Sequence, residues 1–306
     1  MAKKILITGA SGLVGKRLTE LLLQKGYQVC HLGRNKRQGA VPSFVWDVDK
    51  GTIESETLTG VDAVIHLAGA GVADKRWTES RKREILESRI KSSALLFETL
   101  KKEKGTVQSF VSASAIGYYG FGLSDEVFTE ESKSGSDFLA QVTKQWEEGV
   151  DQINSLGIRV VKLRIGIVLS NKGGALAEMA KPIALGFGAS LGTGNQYLTW
   201  IHLDDLCEMF IKAVEDQLMN GAYNAVGPEW VTNEEMTDAI AKILKKPLWL
   251  PPVPGFVLKM ILGEMADLVV NGSKISSAKV QEAGFKFKFT KLEEALSDLL
   301  IVRNLA

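Results

Sequence analysis

Cysteine is nearly absent from this 306-residue sequence, which has only Cys30 and Cys207. So sparse a pair excludes a disulfide framework and a cysteine-rich metal centre. Three histidines with no carboxylate partner at ligand spacing leave no metal site to expect. An excess of one charge is missing too. Lys and Arg number 37 against 36 Asp and Glu, for a net charge of +1, so neither nucleic acid nor a membrane surface is expected as a partner. No apolar run reaches the roughly 18 residues of a membrane span. The best candidate, Phe256 to Val270, is broken by Lys259, Glu264 and Asp267. The opening Lys3-Lys4-Ile5-Leu6-Ile7 is too short for a signal peptide and breaks at Gly9, so a cytoplasmic location is the default expectation.

What is present suits a soluble globular protein: 45% hydrophobic and 24% charged residues, in a chain long enough for one large α/β domain with a smaller lobe. The organising stretch lies at the start. A short apolar run ends at Thr8, glycines follow at Gly9, Gly12 and Gly15, and an amphipathic run carrying Val14, Leu18, Leu21 and Leu22 on one face begins at once. Strand, glycine turn and helix in that order form a dinucleotide fingerprint. Gly9 allows the sharp turn, Gly12 lets a pyrophosphate reach backbone N–H groups at the helix start, and Gly15 lets helix and strand press together. Gly9, Ser11, Gly12, Leu13 and Val14 are therefore candidate cofactor contacts.

About 20 residues beyond the glycines, a dinucleotide fold that takes NAD carries an acid for the ribose 2′-hydroxyl. This sequence has Gly33-Arg34-Asn35-Lys36-Arg37 instead. Arg34 offers a cationic socket for a 2′-phosphate, so NADP(H) is the expected cofactor; a solvated basic turn is the plainer alternative. Asp47, ending the strand Phe44 to Asp47, is placed either beside the adenine or as a loop cap. Leu67, Ala68 and Gly69, at the end of the strand Asp62 to Leu67, would let backbone approach the cofactor. His66 is read as packing there, not as a base. Arg76, Arg81, Lys82, Arg83 and Arg89 crowd the first half of a long helix over Trp77 to Lys102, either as a solvated face or as an anionic-substrate patch. Phe121 to Asp137 reads as a long irregular loop, and Phe285-Lys286-Phe287-Lys288-Phe289 as an edge strand.

The alternation predicts an α/β fold, a Rossmann-like doubly wound parallel sheet over residues 1–170, with a smaller α+β lobe over 171–306. Four motifs sharpen this: Trp77-Thr78-Glu79-Ser80-Arg81-Lys82, Ser112-Ala113-Ser114-Ala115-Ile116-Gly117-Tyr118-Tyr119-Gly120, Leu163-Arg164-Ile165-Gly166-Ile167-Val168-Leu169 and Trp200-Ile201-His202-Leu203-Asp204-Asp205. With them the sequence resembles the atypical short-chain dehydrogenase/reductases, in a nucleoside-diphosphate-sugar epimerase-like group. Gly263-Glu264-Met265-Ala266-Asp267 resembles that group's tail domain of unassigned function. The resemblance implies NADP(H) binding that includes Arg164, a small-molecule substrate, and a homodimer through the helices Trp77–Lys102 and Phe138–Ile153.

That superfamily's chemistry uses Tyr-x-x-x-Lys on a helix, with a serine on the preceding strand. The spacing stacks phenol over ammonium. None of the five tyrosines here has lysine four residues on. If Lys144 is the lysine, Ala140 takes the tyrosine place. Ser114, Tyr118, Tyr119 and Lys144 remain as candidate catalytic residues, with Tyr119 the preferred substitute acid. Two functions stay open: an NADP-dependent oxidoreductase or epimerase-like enzyme acting on a small hydroxyl- or carbonyl-bearing molecule, and a non-catalytic NADP(H)-binding sensor or scaffold.

Overall fold

In the computed structural model, which describes residues 3–103, 105–120 and 122–301, the short apolar runs form strands and the amphipathic runs between them form helices. The first half contains β1 (Lys4–Thr8), α1 (Leu13–Gln24), β2 (Gln28–Gly33), β3 (Ser43–Asp47), β4 (Thr52–Ile53), β5 (Ala63–His66), α2 (Glu79–Glu103), β6 (Ser109–Ala115), β7 (Leu123–Phe128), α3 (Phe138–Asp151) and β8 (Arg159–Ile165). The second half adds β9 (Ile167–Leu169), α4 (Ala175–Ala184), β10 (Tyr197–Leu198), β11 (Trp200–His202), α5 (Leu203–Glu215), β12 (Gly221–Ala225), β13 (Val231–Thr232), α6 (Asn233–Leu244), α7 (Gly255–Leu262), α8 (Asp267–Val270), β14 (Gly272–Ile275), α9 (Ala278–Glu282) and α10 (Leu292–Leu300). Among the described residues no helix is long and apolar enough to cross a membrane.

Eight strands make the central sheet in the order β12-β8-β6-β5-β1-β2-β3-β4, parallel throughout except for the β3–β4 pair. Chain order runs outward from β1 in one direction through β2 and β3, and in the other through β5, β6 and β8. The crevice above the carboxyl ends of β1 and β5 is therefore the switch point where such sheets bind ligands. Helices cover both faces, which is why Ile5, Leu6 and Ile7, like Val64 and Ile65, form unbroken apolar runs with no exposed face.

The lobe expected after residue 170 shares the main sheet and core with the part before that residue. Beyond it, β12 returns to pair with β8, and α5 packs on α1 with Leu206 and Phe210 in the main core. A separate lobe core gathers around Trp200, Leu198, Met236, Ile240, Leu292 and Leu296. The expected loop after Tyr119-Gly120 contains a strand, β7, which pairs with β14; its first residue, Phe121, lies outside the described residues. The stretch from Phe285 to Phe289 keeps its alternate burial but is no strand. Its Lys288 and Phe289 N–H groups donate to the Asp205 carboxylate at 2.8 and 3.0 Å, so a side chain takes the place of a neighbouring strand. Arg17 on α1 grips Asp204 through Nε and Nη2 at 2.7 and 3.2 Å, and His202 caps α5 by accepting from the Asp204 N–H at 3.0 Å. The Trp200–Asp205 motif thus serves assembly.

His66, at the end of β5, is fully buried in a polar line. Its ring nitrogens lie 2.7 Å from Thr8 Oγ1 and 3.2 Å from Ser92 Oγ. Burial, with Arg89 adding repulsion, pushes its pKa down to about 3. The native protein keeps this ring neutral where the unfolded chain protonates it near pH 6.5. Its contribution is therefore intact above about pH 6.5 and falls by about 1.4 kcal/mol per pH unit below that. The urea midpoint should drop between about pH 7 and pH 5, and His66→Asn should flatten that drop; an equal slope in the variant would refute this origin.

Candidate functional site

The glycine turn divides into glycines the fold requires and one it does not. Gly9 has φ +68°, and a Cβ there would lie 2.8 Å from the Ala68 nitrogen. A Cβ on Gly15 would lie 2.6 Å from Ala10 Cα and 2.7 Å from the Gly9 oxygen. At Gly12 the backbone is extended, at φ −72° and ψ 174°, and a Cβ would meet only the Gly9 oxygen, at 3.4 Å. Gly12 and Ser11 are exposed, with Leu13 and Val14 half-buried behind them. Helix α1 begins here with no side-chain cap and no acid in its first turn. A helix start carries partial positive charge and N–H groups with no intrahelical partner, a chemistry suited to a pyrophosphate.

The crevice wall opposite is stitched to this turn. Thr8 Oγ1 accepts from the Leu67 and Ala68 N–H groups at 3.1 and 3.2 Å, which sets Leu67, Ala68 and Gly69 beside the glycines. Leu32 registers with Thr8, so Arg34 hangs just past the end of β2 on the same rim. It is exposed, and no carboxylate pairs with it among the described residues, whereas Lys36 is held by Glu54 at 2.7 Å. Asp47 makes the loop-cap contact, one of the two placements expected of it. It accepts from the Lys50 N–H at 3.0 Å and pairs with the Lys50 ammonium at 3.1 Å, closing its own turn.

A cavity of about 260 Å³ lies between the ends of β6 and β8, helix α3 and the segment around α8 and β14. The α3 residues on its wall are Leu139, Val142, Thr143 and Trp146. Lys144 is not among them; it is exposed on the far side of the helix. The apolar spacing Leu139, Val142, Trp146, Val150 marks the buried face and was available in the sequence. Lys144 falls outside that stripe by one residue, a rotation of roughly 100°. Ala115, not Ser114, is the strand residue on the wall. Serine, tyrosine and lysine positions facing this cavity are thus held by Ala115, Leu139 and Thr143, and the Thr143 hydroxyl is spent on the Leu139 carbonyl at 2.8 Å.

The other expected catalytic and cofactor groups are engaged elsewhere, around a buried carboxylate that sequence reasoning overlooked. Glu147 accepts from Ser114 Oγ at 2.6 Å and from Arg164 Nε and Nη2 at 2.8 and 2.9 Å. Burial pushes this carboxyl up, but Arg164, Ser114 and Lys162 outweigh it and hold it below its usual range. Arg164 also donates to the Tyr119 hydroxyl at 3.0 Å and lies 3.5 Å from the centre of the Tyr118 ring. Arg164 is therefore held as a clamp inside the fold. Tyr119 reaches the cavity wall, yet its hydroxyl donates to Asn224 Oδ1 at 2.6 Å, and burial pushes its pKa up to about 12. An acid for use near neutral pH needs the opposite shift. Tyr118 does not line the cavity.

The basic half of α2 is not simply solvated. Arg81 is buried, donating to the Gly71 carbonyl and, at 2.6 Å, to Glu84. Arg76 is exposed, whereas Arg89 lines the cavity. Tyr197, with the Lys274 ammonium 4.7 Å from its ring centre, also lies on the wall; no local pattern in the sequence singles it out.

The model of the NAD dependent epimerase/dehydratase family matches residues 5–226, and a domain of unknown function, DUF1731, matches residues 253–299. An epimerase family protein of Bacillus subtilis is 37% identical over 303 residues, covering 98% of this chain and 99% of that one. A chloroplastic epimerase family protein of Arabidopsis thaliana is 35% identical, covering 96% and 86%. Among solved structures, a human epimerase family protein with NADPH superposes at a TM-score of 0.87, with 28% identity, covering 97% of this chain and 98% of that one. A UDP-glucose 4-epimerase of Thermotoga maritima reaches 0.79 at 18% identity, a likeness of fold alone.

The two kinds of glycine should respond oppositely to a side chain. Gly15→Val forces backbone apart and should cost about 1–3 kcal/mol or more, read as a lower Tm. Gly12→Val should leave the unliganded protein within about 1 kcal/mol of the parent. Equal losses would show that both glycines serve the fold.

Proposed function

The chain belongs to the NAD dependent epimerase/dehydratase family, and from that premise we propose that it binds NADP(H) and acts as an oxidoreductase on a small molecule without the tyrosine–lysine proton relay of sugar epimerases. One observation carries the reading: the fold leaves Gly12 free of any internal demand while aiming an uncapped helix start at it. Arg34 on the same rim, with no carboxylate partner among the described residues, supports a 2′-phosphate, and the human relative's structure contains NADPH. Diphosphates would lie on the α1 start, with Leu67, Ala68 and Gly69 along the opposite side. When bound, the nicotinamide supplies hydride transfer. The chain's own residues would present it to a small cavity that is mostly apolar.

The absence of an available acid among Ala115, Leu139 and Thr143 favours acceptors that take their proton from solvent or carry it themselves. The same observation favours a second reading, a non-catalytic NADP(H)-binding sensor or scaffold. NADPH oxidation with any member of a broad panel of small carbonyl and quinone acceptors supports the enzyme. Tight NADPH binding with no turnover, together with a partner captured only by the loaded form, supports the sensor.

Arg34→Ala should weaken NADPH binding roughly ten- to a hundredfold and leave NADH nearly unchanged, as loss of a charge-assisted hydrogen bond requires. Nicotinamide fluorescence titrations measure both; equal losses would refute the assignment. Gly12→Val should abolish binding of either cofactor while the protein stays folded.

A further inference from the structure

Among the described residues, the two buried arginines each have a carboxylate counterpart. Arg164 is matched by Glu147 and Arg81 by Glu84, while Arg159 donates to the Ala213, Val214 and Met219 carbonyls where α5 ends. Arg89 differs. Its Nη1 donates to the carbonyls of Ala70 at 3.1 Å and Ile85 at 2.8 Å, and no carboxylate pairs with it among the described residues. Its nearest charged influence is another cation, Arg81, and burial pulls its pKa down to about 10.

The surroundings hold this guanidinium in place without neutralising it. The Trp146 ring centre lies 5.0 Å from Cζ. Bare Gly69 allows the approach, since a Cβ there would stand 3.3 Å from the same atom. Arg89 lines the cavity among apolar side chains such as Val72, Leu139 and Val142. A charge kept out of water at an apolar wall is costly unless a partner arrives.

We infer that Arg89 is the anion-recognition residue of this cavity, taking the carboxylate or phosphate oxygens of the ligand that fills it. The anion comes either from the dinucleotide's phosphates or from an acidic group on a second, small ligand. Guanidinium geometry suits both. The inference rests on the reading that this cavity takes a ligand.

The full-length protein and Arg89→Met, which keeps an apolar stem against Trp146, are each titrated with NADPH by fluorescence. Both are also titrated with 4-fluorobenzoate by fluorine NMR, with and without NADPH. If the dinucleotide supplies the anion, Arg89→Met weakens NADPH roughly ten- to a hundredfold. If a second ligand supplies it, NADPH affinity holds and 4-fluorobenzoate binding is lost by a similar factor. In either case the Tm of the unliganded variant stays within about 2 °C of the parent, because a cation awaiting its partner adds little stability. Arg89→Lys, retaining the charge, weakens the same ligand by roughly three- to tenfold and serves if Arg89→Met does not fold. Unchanged NADPH affinity with no Arg89-dependent binding of 4-fluorobenzoate overturns the inference, as does a large fall in Tm with both affinities intact. A parent protein that binds neither NADPH nor NADH defeats the proposed function instead, and the 4-fluorobenzoate titration without cofactor still decides Arg89.

Discussion

Two backbone approaches too close for any side chain hold the crevice in shape. Gly9 lets the end of β1 touch the end of β5, and Gly15 lets α1 sit on the turn between them. Thr8 then ties the junction by hydrogen bonds to Leu67 and Ala68. These contacts hold the start of α1 and the ends of β1 and β5 against one another. The geometry of the site is a by-product of packing at one strand end, which is where a rigid platform for a ligand is most easily built.

A second constraint is the buried Glu147 carboxylate. Once α3 carries it into the sheet, Ser114, Arg164 and Lys162 must turn toward it, and Arg164 draws the Tyr119 hydroxyl with it. Removing Arg164 would strand the Glu147 carboxylate in a buried site, a cost of about 3–5 kcal/mol. Residues with catalytic chemistry are thereby held as structural ties. These polar groups are spent in the frame around the cavity.

Much of this was legible beforehand. The glycine spacing after a short apolar run, the strand–helix alternation and the missing acid at Arg34 follow from periodicity and residue type, which act locally. The failures came from phase and from distance. Placing Lys144 in the site required the α3 face to be one residue out of register with its own apolar stripe. The Phe285–Phe289 alternation is true of burial, but only the distant Asp205 decides that its N–H groups need no strand. Arg89 and its charged neighbours look alike in sequence; which of them meets a carboxylate depends on the folded surroundings of α2.

The route by which β12 reaches the sheet bears on how this chain is born. Its partner, β8, ends at Ile165, and the chain must run through α4, α5 and their connections before Gly221 can pair with Val161. Val160, Val161 and Leu163, all buried in the finished protein, lie on a strand whose outer edge is bare until then. At ordinary synthesis rates that interval lasts roughly several seconds. During it, the strand edge that β12 later covers is open, and open edges are what pair with other chains. The return of β12 is thus also the closing of an aggregation window, and the unit that must leave the ribosome before the sheet is safe extends well past its first half.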